Sequence, residues 1–143
     1  MDQHAIPVIE LWGRLIVALQ GDVGDTQMER LREEVLQRVR ERGAQGLVID
    51  ASGMWMVDSH LCAMLGRIVS SARLMGVRAV LSGLSPQVVL TLGEMGIDLE
   101  GISTALTLEE ALESLGVAAL RDDQTHSTQT LAEQWIELTG ADR

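Results

Sequence analysis

An acid, a hydroxyl and an imidazole stand side by side at Asp58, Ser59 and His60, the three residue types of a hydrolytic triad. Their adjacency argues against that chemistry. A triad needs the histidine to bridge the serine and the acid, whereas consecutive residues at a helix start point in different directions. The nucleophile-elbow pattern G-x-S-x-G is also missing. What Asp58-Ser59 does suit is the opening of a helix, where short side-chain oxygens accept from backbone N–H groups that lack an intrahelical partner. A serine hydroxyl exposed there can also be phosphorylated, so the expected chemistry is a change of charge. Ser52, Ser82 and Ser85 rank below Ser59, because Ser85 has its own capping role and Ser52 reads as part of a tight loop beside Gly53.

Other candidate chemistry is weaker. Gly21-Asp-Val-Gly24 is a pair of glycines with no lysine following, so a plain turn is expected there rather than a phosphate-binding loop. Asp22 and Asp25 make a poor cation site without further oxygen ligands. His4, His60 and His126 are too scattered to suggest a metal centre, and neither a metal nor another cofactor is expected. Trp55 leaves two readings open. Alternation along an extended segment turns Met54 and Met56 to one side and Trp55 to the other, which offers a partner interface at Trp55 and Met54; alternatively Trp55 packs over its own helix.

The elements that must position Ser59 follow from hydrophobic period. Ile6 to Leu11 and Leu15 to Leu19 read as two antiparallel strands around a turn at Trp12-Gly13-Arg14. Thr26 and Glu29 have capping-box spacing, and Met28, Leu31, Val35 and Val39 mark a helix that ends at Gly43, with Glu34 and Arg38 one turn apart on its solvated side. Gly46 to Asp50 is an apolar run ending in a carboxylate, as for a strand buried on both faces. A loop bearing Met54 to Val57 follows, then a helix from Asp58 with Leu61, Met64, Leu65, Ile68, Ala72 and Met75 on its buried stripe. Val77 to Leu81 is the next strand. Ser85-Pro86 opens a third helix with Val89, Leu92 and Met95 buried. Ile102 to Leu106 is a weak strand, and Thr107 to Glu110 caps a helix carrying Ala111, Leu112 and Leu115. The order β-β-α-β-α-β-α-β-α predicts an α/β fold, a mixed and mostly parallel sheet of four to five strands with about four helices. Ser59 then lies beyond the carboxyl end of a central strand, where open α/β sheets hold their functional loops.

Residues 1–116 form the expected domain, and 117–143 an extension. Arg121 to Thr130 is a polar linker, and Leu131, Trp135 and Leu138 share one face of a possible short helix. Such a helix docks on its own domain, frays, or docks on a neighbouring subunit.

Of the 143 residues 46% are hydrophobic, yet Phe and Tyr are absent, so the core must be aliphatic and Met-rich. The formal charge of −10 disfavours nucleic acid and anionic membrane surfaces as partners, leaving proteins. Cys62 stands alone, no signal peptide opens the chain and no long uncharged apolar stretch occurs, which together fit a reducing cytoplasm.

Asp50-x-Ser52-Gly53, followed by Asp58-Ser59 opening a helix, resembles the STAS domain of bacterial anti-sigma-factor antagonists over roughly Ile6 to Gly116. Leu84-Ser-Pro-Gln-Val, Leu-Thr-Leu-Gly-Glu-Met-Gly96 and Thr104-Ala-Leu-Thr-Leu108 strengthen the likeness. The resemblance implies a STAS fold, no catalysis, and Ser59 as the residue a partner kinase phosphorylates, with Asp58 and His60 as its surroundings. The family pattern has a small hydroxyl residue and glycine where this chain has His60 and Leu61. That departure points away from a free anti-anti-sigma factor and toward the stressosome branch. The expected phosphoprotein is then a stress-response signal-transduction component. Its implied partners are a serine/threonine switch kinase, a larger STAS paralogue and a phosphatase acting on Ser59, within a homo- or hetero-oligomer. A STAS module binding a small anion or nucleotide at the helix starts of Ser59 and Ser85 is the rival implication.

Overall fold

The computed structural model describes residues 5–54, 57–96 and 102–117. The chain forms β1 (Val8–Leu11), β2 (Arg14–Gly21), α1 (Asp25–Arg42), β3 (Gly46–Met54), α2 (Ser59–Leu74), β4 (Arg78–Ser82), α3 (Pro86–Glu94), β5 (Ser103–Ala105) and α4 (Leu108–Ser114). One sheet contains all five strands in the order β1-β2-β3-β4-β5, with β1 and β2 antiparallel and the remaining pairs parallel. The expected α/β architecture is therefore present. The turn between β1 and β2 is two residues long. Trp12 (φ 47°) and Gly13 (φ 76°) both adopt positive φ, the sign pattern of a type I′ hairpin turn, and Arg14 already belongs to β2.

Alternation divides the sheet into two faces. Leu15, Val17, Leu19, Leu47, Ile49, Ala79 and Leu81 join the core with Met28, Leu31 and Val35 of α1 and Leu61, Leu65, Ile68 and Val69 of α2. Full burial of this many aliphatic side chains supplies the main stabilisation, at about 1.5–3 kcal/mol each before entropy is counted. The opposite face is covered by α4, where Ala111 and Leu115 pack on Val48 and Val80. Arg14 fastens that helix: Nε and Nη2 donate to the Leu115 carbonyl at 3.1 and 2.8 Å, and Nη1 donates to the Trp12 carbonyl at 2.6 Å. A side chain at Gly46 would meet Leu115 Cδ1 at 2.9 Å, so the glycine admits α4 to the sheet. Val117, the last described residue, is buried.

Several local expectations shift. Helix α1 starts at Asp25 after Gly24, not at Thr26; Gln27 Oε1 accepts from the Gly24 N–H at 2.9 Å, and glycine has no side chain to complete a box. The buried residues of α3 are Val88 and Leu92, while Val89 and Met95 are exposed, because the helix turns its apolar side toward Cys62 of α2. Met75 is the exposed C-cap of α2 instead of part of its buried stripe. The extension from residue 118 lies outside the described residues.

Gly83 tests the tight end of the sheet. Its φ is +69°, and an added Cβ would sit 2.6 Å from Ser52 Cβ and 2.8 Å from Asp50 Oδ1. Gly43 has a similar φ of +61° with nothing within 4 Å. Urea unfolding should therefore show Gly43→Ala costing about 1–2 kcal/mol, the αL penalty alone, and Gly83→Ala costing at least about twice that. Equal losses would mean that the contacts at Gly83 are not tight.

Candidate functional site

The strand expected to stop at Asp50 continues to Met54, because β2 stays alongside it past a bulge in β3, where Ala51 and Ser52 lie opposite the single Leu19 of β2, and pairing resumes with Gln20 opposite Gly53 and Gly21 opposite Met54. Ser52 is thus a strand residue rather than a loop residue. The Asp50 carboxylate collects three hydrogen bonds: Oδ1 accepts from the Ser52 N–H at 3.1 Å and from the buried Ser82 hydroxyl at 3.3 Å, and Oδ2 accepts from the Ser52 hydroxyl at 3.1 Å. This ties the carboxyl ends of β3 and β4 together. Gly53 lies where a Cβ would come 3.0 Å from the Leu19 carbonyl, a tight approach just beyond the bulge in β3. The Asp50-x-Ser52-Gly53 motif is in this chain a clasp that sets where β3 ends.

Two described residues, Val57 and Asp58, lead from that end into α2. Asp58 is the N-cap, with φ −105° and ψ 175°; its Oδ1 accepts from the Leu61 N–H at 2.8 Å, and its carbonyl accepts from the Cys62 N–H at 3.1 Å. Ser59 is the first helical residue. Its side chain is exposed and makes no hydrogen bond to another described residue. The two positions are therefore separated in role: Asp58 is engaged in the fold and the Ser59 hydroxyl is not. His60 is exposed and places Nε2 3.1 Å from Oδ1 of Asp25, the first residue of α1. Thirty-five positions separate these residues, and no sequence pattern pairs them. The chain segments at this end of the sheet, residues 21–25, 57–58 and 83–85, carry Asp22, Asp25 and Asp58 and no arginine.

Behind the cap, Cys62 is buried against Val88 and Leu92 of α3. Burial first, and the Asp58 charge second, push its thiol above the ordinary value, so it stays protonated at neutral pH. Beside Val88 on α3, Val89 (39% exposed) and Leu90 (67%) are exposed apolar residues that sequence reasoning did not mark as exposed. Helix α3 is itself capped as expected, Ser85 Oγ accepting from the Val88 N–H at 3.3 Å. Met54 is half-buried and packs against the main core, whereas Trp55 and Met56 lie outside the described residues. Among the described residues no group of three or more His, Cys, Asp or Glu side chains is placed to hold a metal, and no helix is long and apolar enough to cross a membrane.

The split between cap and free hydroxyl is measurable. Asp58→Ala should lower unfolding stability by about 1 kcal/mol, with Asp58→Asn retaining most of it, whereas Ser59→Ala should stay within about 0.5 kcal/mol of the parent. A Ser59→Ala loss as large as that of Asp58→Ala would mean that the hydroxyl has a structural partner.

Comparison with known proteins agrees with this geometry. The family model described as "STAS domain" matches residues 5–111. A solved structure of a serine-to-glutamate variant of RsbS from Moorella thermoacetica is 35% identical, with a TM-score of 0.72, over 80% of this chain and 97% of that one. A chain from a structure of the stressosome, described as a signal integration and transduction hub, is also 35% identical, with a TM-score of 0.67 over 79% of this chain and 98% of that one. The RsbT co-antagonist protein RsbRB of Bacillus subtilis (strain 168) is 32% identical over 107 residues, 74% of this chain but 39% of its own length. This sequence thus spans about two fifths of that relative. With the family model covering most of the sequence and the sheet order, cap and serine in place, the chain belongs to the STAS-domain family and is similar to its anti-sigma-factor-antagonist and stressosome members.

Proposed function

We propose that this chain is a phospho-switch in a stressosome-type assembly. Unmodified, it holds an RsbT-like serine/threonine switch kinase together with a larger RsbR-like STAS paralogue. Phosphorylation of Ser59 lets the kinase go, and a phosphatase acting on Ser59 resets the system. The output is control of a general stress or sigma-factor pathway, and the chain itself catalyses nothing: the kinase supplies the chemistry and Ser59 supplies the hydroxyl.

The observation that carries this reading is the free, exposed hydroxyl of Ser59 on the first residue of a helix already capped by Asp58. A phosphoryl group there adds about two negative charges where unpaired N–H groups and the helix macrodipole tolerate an anion, so the fold survives modification. The partner's side of the contact does not. Asp58 and Asp22 already make this end acidic, Asp25 occupies His60, and no arginine in the adjoining loops neutralises new charge. A protein packed against the start of α2 would have to desolvate or pair the phosphate. Likeness to RsbS, to a stressosome chain and to an RsbT co-antagonist supports the identity of the partners.

Incubation with the cognate kinase and ATP, followed by mass spectrometry of peptides, should place one phosphate on Ser59, and Ser59→Ala should abolish labelling while the protein stays folded. Undiminished labelling of Ser59→Ala would refute the assignment.

A further inference from the structure

Helix α4 covers only part of its face of the sheet. It packs on β3, β4 and β5, with Val48, Val80 and Ala105 beneath it. Strand register carries the same face across to the hairpin. Val48 is opposite Ile16, Ile16 is opposite Ile9, and Ala18 is opposite Asp50, so Ile9, Ile16 and Ala18 all point to the side that α4 occupies. No described helix lies over them. Ile16 is buried, but Ile9 is 56% exposed, although a β-branched apolar residue in mid-strand normally gains from cover, and a groove of about 840 Å³ is lined by Pro7, Ile9, Ala18 and Gln20 together with Val23, Gly24 and Gln27 at the start of α1.

What could cover this face begins beside it. The described chain ends at Val117, which is buried and follows directly on the Leu115 carbonyl that Arg14 of β2 holds. Twenty-six residues, 118–143, continue from that point. The thirteen residues 118–130, at about 3.3 Å each when extended, reach about 40 Å, far more than the width of two strands at about 4.8 Å spacing. Beyond them Leu131, Trp135 and Leu138 recur at i, i+4 and i+7, the spacing of one apolar helical stripe. The shared fold does not account for this stripe, since the family match ends at residue 111 and the RsbS neighbour is covered over 97% of its length by only 80% of this chain.

We propose that the segment around Leu131, Trp135 and Leu138 docks on the β1–β2 face of its own chain, over Ile9, extending the layer that α4 begins. Docking within one chain is favoured by a linker long enough to reach, which makes the encounter intramolecular and independent of concentration.

Thiol labelling of the full-length protein tests this. The native Cys62 is buried with its thiol held protonated, so it contributes little background. Ile9→Cys places a reactive group on the face, and Leu74→Cys, at a residue 90% exposed on α2, gives the unprotected rate. With a maleimide, Ile9→Cys should react at least about tenfold more slowly than Leu74→Cys, and adding Trp135→Asp or Leu131→Asp should restore most of the difference at any protein concentration. Labelling of Ile9→Cys as fast as Leu74→Cys would overturn the proposal. So would slow labelling that dilution relieves and the segment substitutions do not, which would give the face to a second copy, and so would slow labelling that neither relieves.

Discussion

The end of the sheet from which the chain enters α2 is organised around the carboxylate of Asp50. It accepts from Ser52 on its own strand and from the buried Ser82 on the next, so the ends of β3 and β4 are fixed relative to each other within hydrogen-bond tolerance. A buried hydroxyl without that acceptor would carry an uncompensated desolvation cost, which makes the arrangement costly to open. Gly83 extends the same constraint, since the chain passes too near Ser52 and Asp50 for a side chain there, and a Cβ at Gly53 would crowd the Leu19 carbonyl at 3.0 Å. Beyond β3, Asp58 caps the start of α2 by accepting from the Leu61 N–H.

Under the proposed switch, that arrangement would let Ser59 change charge while Asp58 keeps the helix start capped. Had the same side chain capped the helix and received the phosphate, modification would have disturbed α2 as well as the contact surface. Instead Asp58 takes the Leu61 N–H, and the Ser59 hydroxyl points outward with no partner among the described residues. On the proposed reading, the signal is confined to the electrostatics of an exposed end. There His60 is held by Asp25, and the carboxylates of Asp22 and Asp58 already repel further negative charge.

Much of this was legible in the sequence, for stated reasons. Hydrophobic period and capping residues identify α1, α2, α3 and α4 because amphipathic helices repeat every 3.6 residues, and Asp58, Ser85 and Thr107 each cap the helix expected of them. The end of β3 was not legible. Asp50, Ser52 and Gly53 are all poor strand formers, and only pairing with β2 across a bulge in β3 and the Asp50 hydrogen bonds keep them extended. The buried side of α3 was misread by one residue because Ser85-Pro86 marks where a helix begins without marking which side meets α2; contact with Cys62 decides that. The His60–Asp25 contact joins the starts of two helices distant in sequence, and no local pattern encodes it.

The central claim is that a charge on Ser59 breaks a protein contact without breaking the fold. The most direct measurement is the affinity of the cognate switch kinase for the unmodified protein and for the Ser59-phosphorylated protein, taken side by side with circular dichroism of each form. The account predicts unchanged spectra and binding weakened at least about tenfold, equivalent to about 1.4 kcal/mol, on phosphorylation. Equal affinity for the two forms would contradict it.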